Sequence, residues 1–113
     1  MRAWSIVAVC GAVVVACGGS ASSPSAHGRA LIGYYGCGAC HRIGGIDTAN
    51  GTVGPDLRNF RSNRYIAGRL PNTSAQVRRW IQHPQAIQPH TIMPDLGVTP
   101  SQAADIAAYL YGQ

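Results

Sequence analysis

This chain has no lysine and little charge of either sign. Its nine cationic side chains are all arginines, set against four aspartates at 47, 56, 95 and 105, for a formal net charge of +5. No apolar run is long enough to cross a bilayer, which takes about 20 residues; the longest, from Ala3 to Ala16, falls short. No stretch alternates apolar and polar residues in the manner of a half-buried strand, and no segment repeats itself. These absences exclude a membrane-spanning helix, a sheet-based fold and a repeat array. The length of 113 residues allows one domain and little else. Methionine is scarce too, with Met1 and Met93 the complete set.

Against that sparse background stands Cys37-Gly38-Ala39-Cys40-His41. It reads C-x-x-C-H, the pattern for covalent attachment of a c-type haem. On one helical turn residues 37 and 40 are i,i+3 neighbours, so both sulfurs face one side and each can bond one vinyl group of the macrocycle. His41 follows on the same face, four residues beyond Cys37, and can reach the iron. Haem iron held by protein side chains handles single electrons.

The remaining two cysteines, Cys10 and Cys17, lie near the start. A charged beginning at Arg2, a short apolar core and small residues at its end describe an export signal over residues 1–16. Val14-Val15-Ala16-Cys17 resembles the lipobox of bacterial lipoproteins. That resemblance implies cleavage before Cys17 and lipidation of its thiol, and two or more acyl chains anchor a protein stably. Val9 makes a poorer cleavage site for Cys10. A secretory signal with an incidental cysteine is the alternative. Either way the expected location is periplasmic or on the outer face of a cell membrane, the outer membrane included. Residues 17–26, rich in serine and glycine, read as a flexible tether, and 27–113 as the folded domain. Loss of Arg2 with the signal leaves eight arginines against four aspartates, a balance of +4. A mildly basic surface can steer toward an acidic docking patch; an exported domain is not expected to meet nucleic acid.

Helical spacing of Ala30, Leu31, Tyr34 and Tyr35 predicts a first helix from about Ala26 into Cys40. Glycines, Asn50 and Pro55 predict an irregular loop over 43–60. Arg64 to Leu70 reads as a short helix. Thr73 or Ser74 caps a helix over 75–82 that Pro84 ends, with Val77, Trp80 and Ile81 as its apolar stripe. Residues 83–98 read as a wrapped loop. Thr99 as N-cap and Pro100 at the first helical position open a last helix to about Tyr111, with Ile106, Tyr109 and Leu110 inward. The sum is an all-α domain with long loops. A haem gives such loops an apolar body to pack on.

The second axial position then needs a ligand. Once the signal is removed, Met93 is the single methionine, in a loop beside Pro94 with no helical stripe around it. A thioether favours ferrous iron and raises the reduction potential. His83 and His90, in the same loop region, are the competitors, and bis-histidine ligation would lower the potential.

Four ordered landmarks resemble class I cytochromes c: C-G-A-C-H at 37–41, G-P-D-L at 54–57, M-P at 93–94 and a terminal helix ending I-A-A-Y-L-Y. The resemblance covers about Gly28 to Gly112 and implies three to five helices and long loops around one covalent haem c. It implies that the Pro55 carbonyl accepts the Nδ1 proton of His41 and that Leu57 packs on the haem face. It also implies that the first and last helices cross closely, Gly28 meeting Tyr109 or Leu110. Residues 68–94, G-R-L-P-N-T through V-R-R-W-I-Q-H-P-Q-A-I-Q-P to M-P, look like the cytochrome c domain fused to subunit II of caa3-type oxidases. That likeness places Trp80 near a haem propionate, with Arg69, Arg78 or Arg79 as further partners. This chain carries no copper-binding domain or transmembrane hairpin, and it has His90 where that family often has glycine.

The leading expectation is therefore a membrane-tethered mono-haem carrier, not an enzyme. It would pass electrons between respiratory complexes, from a bc-type donor toward a haem–copper terminal oxidase. The alternative is a haem enzyme or gas- or peroxide-binding protein with a labile sixth ligand. A dithiol oxidoreductase at Cys37 and Cys40 lacks the βαβ pattern such motifs accompany. Zinc held by Cys37, Cys40, His83 and His90 fits poorly, because the histidine spacing is too long.

Overall fold

The computed structural model describes residues 11–14 and 18–113; Cys10 and Cys17 fall outside the described residues, as does most of the proposed signal. No helix among the described residues is long and apolar enough to cross a membrane. Four α-helices dominate: α1 Pro24–Tyr34, α2 Ser74–Gln82, α3 Pro84–Ile87 and α4 Pro100–Tyr111.

Helix α1 begins inside the segment expected to be tether. Ser23 accepts the Ala26 N–H at 3.1 Å, and Pro24 fills a first-turn position whose missing N–H costs nothing. The helix also ends earlier than its apolar spacing suggests. Gly36 turns left-handed (φ 72°) and releases the chain into a separate 3₁₀ turn, Cys37–Ala39. The haem-attachment cysteines are thus not on α1 but just beyond it.

Helix α4 starts with a complete capping box. Thr99 accepts the Gln102 N–H, and the Gln102 side chain accepts the Thr99 N–H at 3.0 Å. The same Gln102 oxygen accepts from the Tyr35 hydroxyl, tying the cap to the end of α1. Thr99→Ala is expected to cost about 1 kcal/mol of stability, measured by denaturant unfolding of the holoprotein; no change would mean the cap is redundant.

Helices α1 and α4 make the main packing, and α2 lies against α4. Ala103, Ile106, Ala107 and Leu110 bury one face of α4. Tyr109 is half-buried, its hydroxyl donating to the Gly44 carbonyl at 2.6 Å. At the crossing a Cβ on Gly28 would overlap the carbonyl of Asp105, so the close partner is the Asp105–Ile106 backbone, a turn before Tyr109 and Leu110. His27 seals the same crossing, its Nδ1 lying 2.6 Å from Asp105 Oδ2.

The segment 64–70 is not a helix. Tyr65–Ile66 (β1) pairs antiparallel with Leu70–Pro71 (β2). Ala67 (φ 52°) and Gly68 (φ 67°) are successive left-handed residues, a geometry that makes a tight hairpin turn and cannot continue a right-handed helix. Asn72 locks the hairpin in place. Its Nδ2 donates to the carbonyls of Phe60 and Asn63, and its Oδ1 accepts from Tyr111 on α4. Helix α3 also departs from the expected loop: Pro84 ends α2 and at once serves as the first residue of one further turn. The loop over 43–60 is irregular as expected.

Candidate functional site

The 3₁₀ turn winds three residues per turn, so positions i and i+3 eclipse one another. Cys37 and Cys40 hold that relation, and the Cys37 carbonyl accepts the N–H groups of both Cys40 (3.2 Å) and His41 (3.0 Å). Both thiols are free and half-buried. Burial pushes the Cys37 thiol up from its ordinary range. A dithiol oxidoreductase needs the opposite shift, toward thiolate.

Residues 49–57 are zipped along this turn. Gly51 N–H donates to the Gly38 carbonyl (3.0 Å), Gly54 N–H to the Cys40 carbonyl (2.8 Å) and Leu57 N–H to the Arg42 carbonyl (2.8 Å). The approach demands glycines. A Cβ on Gly51 would overlap the Ala39 carbonyl, and one on Gly38 would lie 2.8 Å from the Ala49 Cα.

Gly54, part of the G-P-D-L landmark but given no role of its own there, packs against the His41 ring. A Cβ there would fall on the imidazole of His41, 2.7 Å from Nδ1. The ring therefore lies directly on the Gly54 backbone. From Gly54 the chain runs into Pro55, whose carbonyl oxygen lies 2.7 Å from His41 Nδ1. A carbonyl can only accept, so Nδ1 carries a proton and donates it, and Nε2 is the ring nitrogen left to face a metal. The G-P pair was the available signal: a glycine that admits the ring, followed by the carbonyl that orients it.

The other expected residues share one apolar body. Trp80 is in the buried core, and Leu57 and Met93 pack against it half-buried. His83 and His90 are exposed, as are Arg69, Arg78 and Arg79. His90 is also left-handed (φ 66°), a conformation that glycine adopts more readily. Asp56, beside Pro55, accepts hydrogen bonds from the Arg58 side chain and backbone, and that guanidinium holds its carboxyl down at about 2. The pair is solvent-exposed, so its contribution is small. It is present at neutral pH and lost as the pH falls toward 2.

These residues fit a covalent c-type haem. Two thiols three residues apart on one turn and an imidazole oriented by a backbone carbonyl are the donor set it needs. Met93 adds a thioether at the edge of an apolar cluster.

Comparison with known proteins agrees. The Cytochrome c family matches residues 25–112. Cytochrome c oxidase subunit 2 of Alkalihalophilus pseudofirmus is 36% identical over 67 residues, which is 59% of this chain but 19% of that protein. The chain thus spans about a fifth of that relative. No solved structure matches the chain significantly. A family match that takes in nearly the whole helical domain, laid over a turn that already offers two thiols and an oriented imidazole, makes this chain a class I cytochrome c, an electron carrier with haem c attached through Cys37 and Cys40.

Proposed function

We propose that this cytochrome is exported, held to a membrane by lipid on Cys17, and passes single electrons between respiratory complexes toward a haem–copper oxidase. His41 and Met93 are the axial ligands. The observation that carries the reading is the 2.7 Å contact between His41 Nδ1 and the Pro55 carbonyl, which orients the ring and leaves Nε2 available to a metal. Bound haem c supplies a one-electron iron couple. The chain's own residues do the rest. Pro55 and Gly54 fix the imidazole, and Leu57, Trp80 and Met93 exclude water with an apolar wall.

The likeness to an oxidase subunit supports an oxidase as acceptor. In the relative a domain of this kind is part of the oxidase chain. Here the residues from Cys17 up to the start of α1 at Pro24 would be the tether, and docking would be brief, across less than about 1,200 Å². Arginines exposed at 69, 78 and 79 suit an acidic partner surface.

Two measurements test this. Cys17→Ser should move the holoprotein from the membrane fraction to the soluble exported fraction; retention on membranes would remove the lipid anchor. The tagged full chain, purified from detergent-solubilised membranes, should bring a haem–copper oxidase with it. Recovery of the chain without a haem–copper oxidase would count against the proposed acceptor.

A further inference from the structure

Gln85 ties three alternate residues of the Met93 limb. It sits in α3, directly after the buried Pro84. Its side-chain Nε2 donates to the carbonyl of Thr91 at 2.6 Å and to that of Met93 at 2.8 Å. Its backbone N–H donates to Asp95 Oδ1 at 3.2 Å. Both carbonyls can only accept, so they fix the amide orientation, and both of its N–H groups are used.

The limb has little else to hold it. Ile92, beside Met93, is 77% exposed and adds little packing. His90 bends the chain through a left-handed conformation that costs a non-glycine residue energy. The Thr91 N–H reaches back to the Gln88 carbonyl at 3.1 Å, but that bond lies before Met93.

We propose that Gln85 is a positioning residue for the sixth ligand: its amide clamps the Met93 backbone and so sets how often the thioether leaves the iron. This rests on Met93 being that ligand. Opening the limb must break both amide bonds. Two neutral hydrogen bonds of ordinary strength correspond to about tenfold or more in the opening equilibrium.

The test uses ferric holoprotein and imidazole as the displacing ligand. Gln85→Glu keeps the shape but, ionised, has no donor for the two carbonyls. Gln85→Ala removes the clamp without adding charge and serves where Gln85→Glu does not fold. Each variant is expected to raise the imidazole substitution rate by about tenfold or more and to weaken the sulfur–iron charge-transfer band. A residue with a purely structural role would lower thermal stability and leave substitution unchanged; rates within about twofold of the unmodified chain overturn the inference. Met93→Ala separates the two levels. If it removes the band while the Gln85 variants exchange normally, the clamp is wrong and the ligand right. If it leaves the band intact, the ligand assignment itself is wrong.

Discussion

Met93→Ala is expected to lower the reduction potential of the holoprotein by on the order of 0.2 V, within the roughly 0.8 V that axial ligands span. The ferric sulfur–iron band should vanish. The cause is the chemistry of sulfur: a soft thioether stabilises ferrous iron, and water or a hard ligand in its place does not. The surroundings favour the thioether. Met93 is half-buried against the apolar core, whereas His83 and His90 are exposed. The same substitution should let the ferrous form bind carbon monoxide quickly, which the unmodified chain should not do. The test therefore bears on the choice between carrier and ligand-binding protein. Absence of the band from the unmodified chain, with a potential that Met93→Ala leaves unchanged, would mean that a histidine holds the sixth position, and rapid carbon monoxide binding by the unmodified chain would mean that the position is open.

How legible this site was depended on whether chemistry or packing set each residue. C-x-x-C-H is fixed by the separation of two vinyl groups and an iron, so its spacing survives in the sequence whatever the fold. Thr99-Pro100-Ser101-Gln102 was legible because a capping box is local: donor and acceptor are three residues apart. The contact of His41 with Pro55 came from family resemblance, and no rule of spacing gives it. The two residues are fourteen positions apart, and the irregular loop between them must first fold back along the turn.

The errors have the same explanation. Ile66 and Leu70 are four apart, which is a helical spacing, but they face each other across a hairpin. Gly68 and Pro71 were the contrary signals, and Ala67 in a left-handed conformation is not something its identity announces. Gly36 cut α1 short for a reason the apolar stripe could not reveal, since the stripe describes a face and not an end. Gln85 was invisible because its partners are backbone carbonyls, which every residue has. Only the placement of α3 beside the Met93 limb distinguishes it. His27 lies on α1 and reaches Asp105 across the helix crossing, a contact between residues 78 positions apart that no local pattern announces.

That crossing is where the largest loss of stability is expected. Gly28→Val should destabilise the holoprotein by about 3 kcal/mol or more, which for a domain of this size lowers the melting temperature by roughly 15 °C. The side chain would be driven into the Asp105 carbonyl and to within 3.0 Å of the Ile106 nitrogen. Those atoms are backbone inside α4, so no rotamer change relieves the overlap, and the two helices must move apart. Separation would also uncover Ile106 and Leu110 and break the contact between His27 and Asp105. Gly33, on the same helix, supplies the control. Nothing lies within 4 Å of a Cβ built there. Gly33→Ala should therefore stabilise the protein by up to about 1 kcal/mol, the ordinary gain from restricting the unfolded chain and improving helix propensity. Opposite signs from two glycines five residues apart would show that the crossing, and not the helix itself, forbids a side chain at position 28. Equal effects would mean that α1 and α4 meet elsewhere.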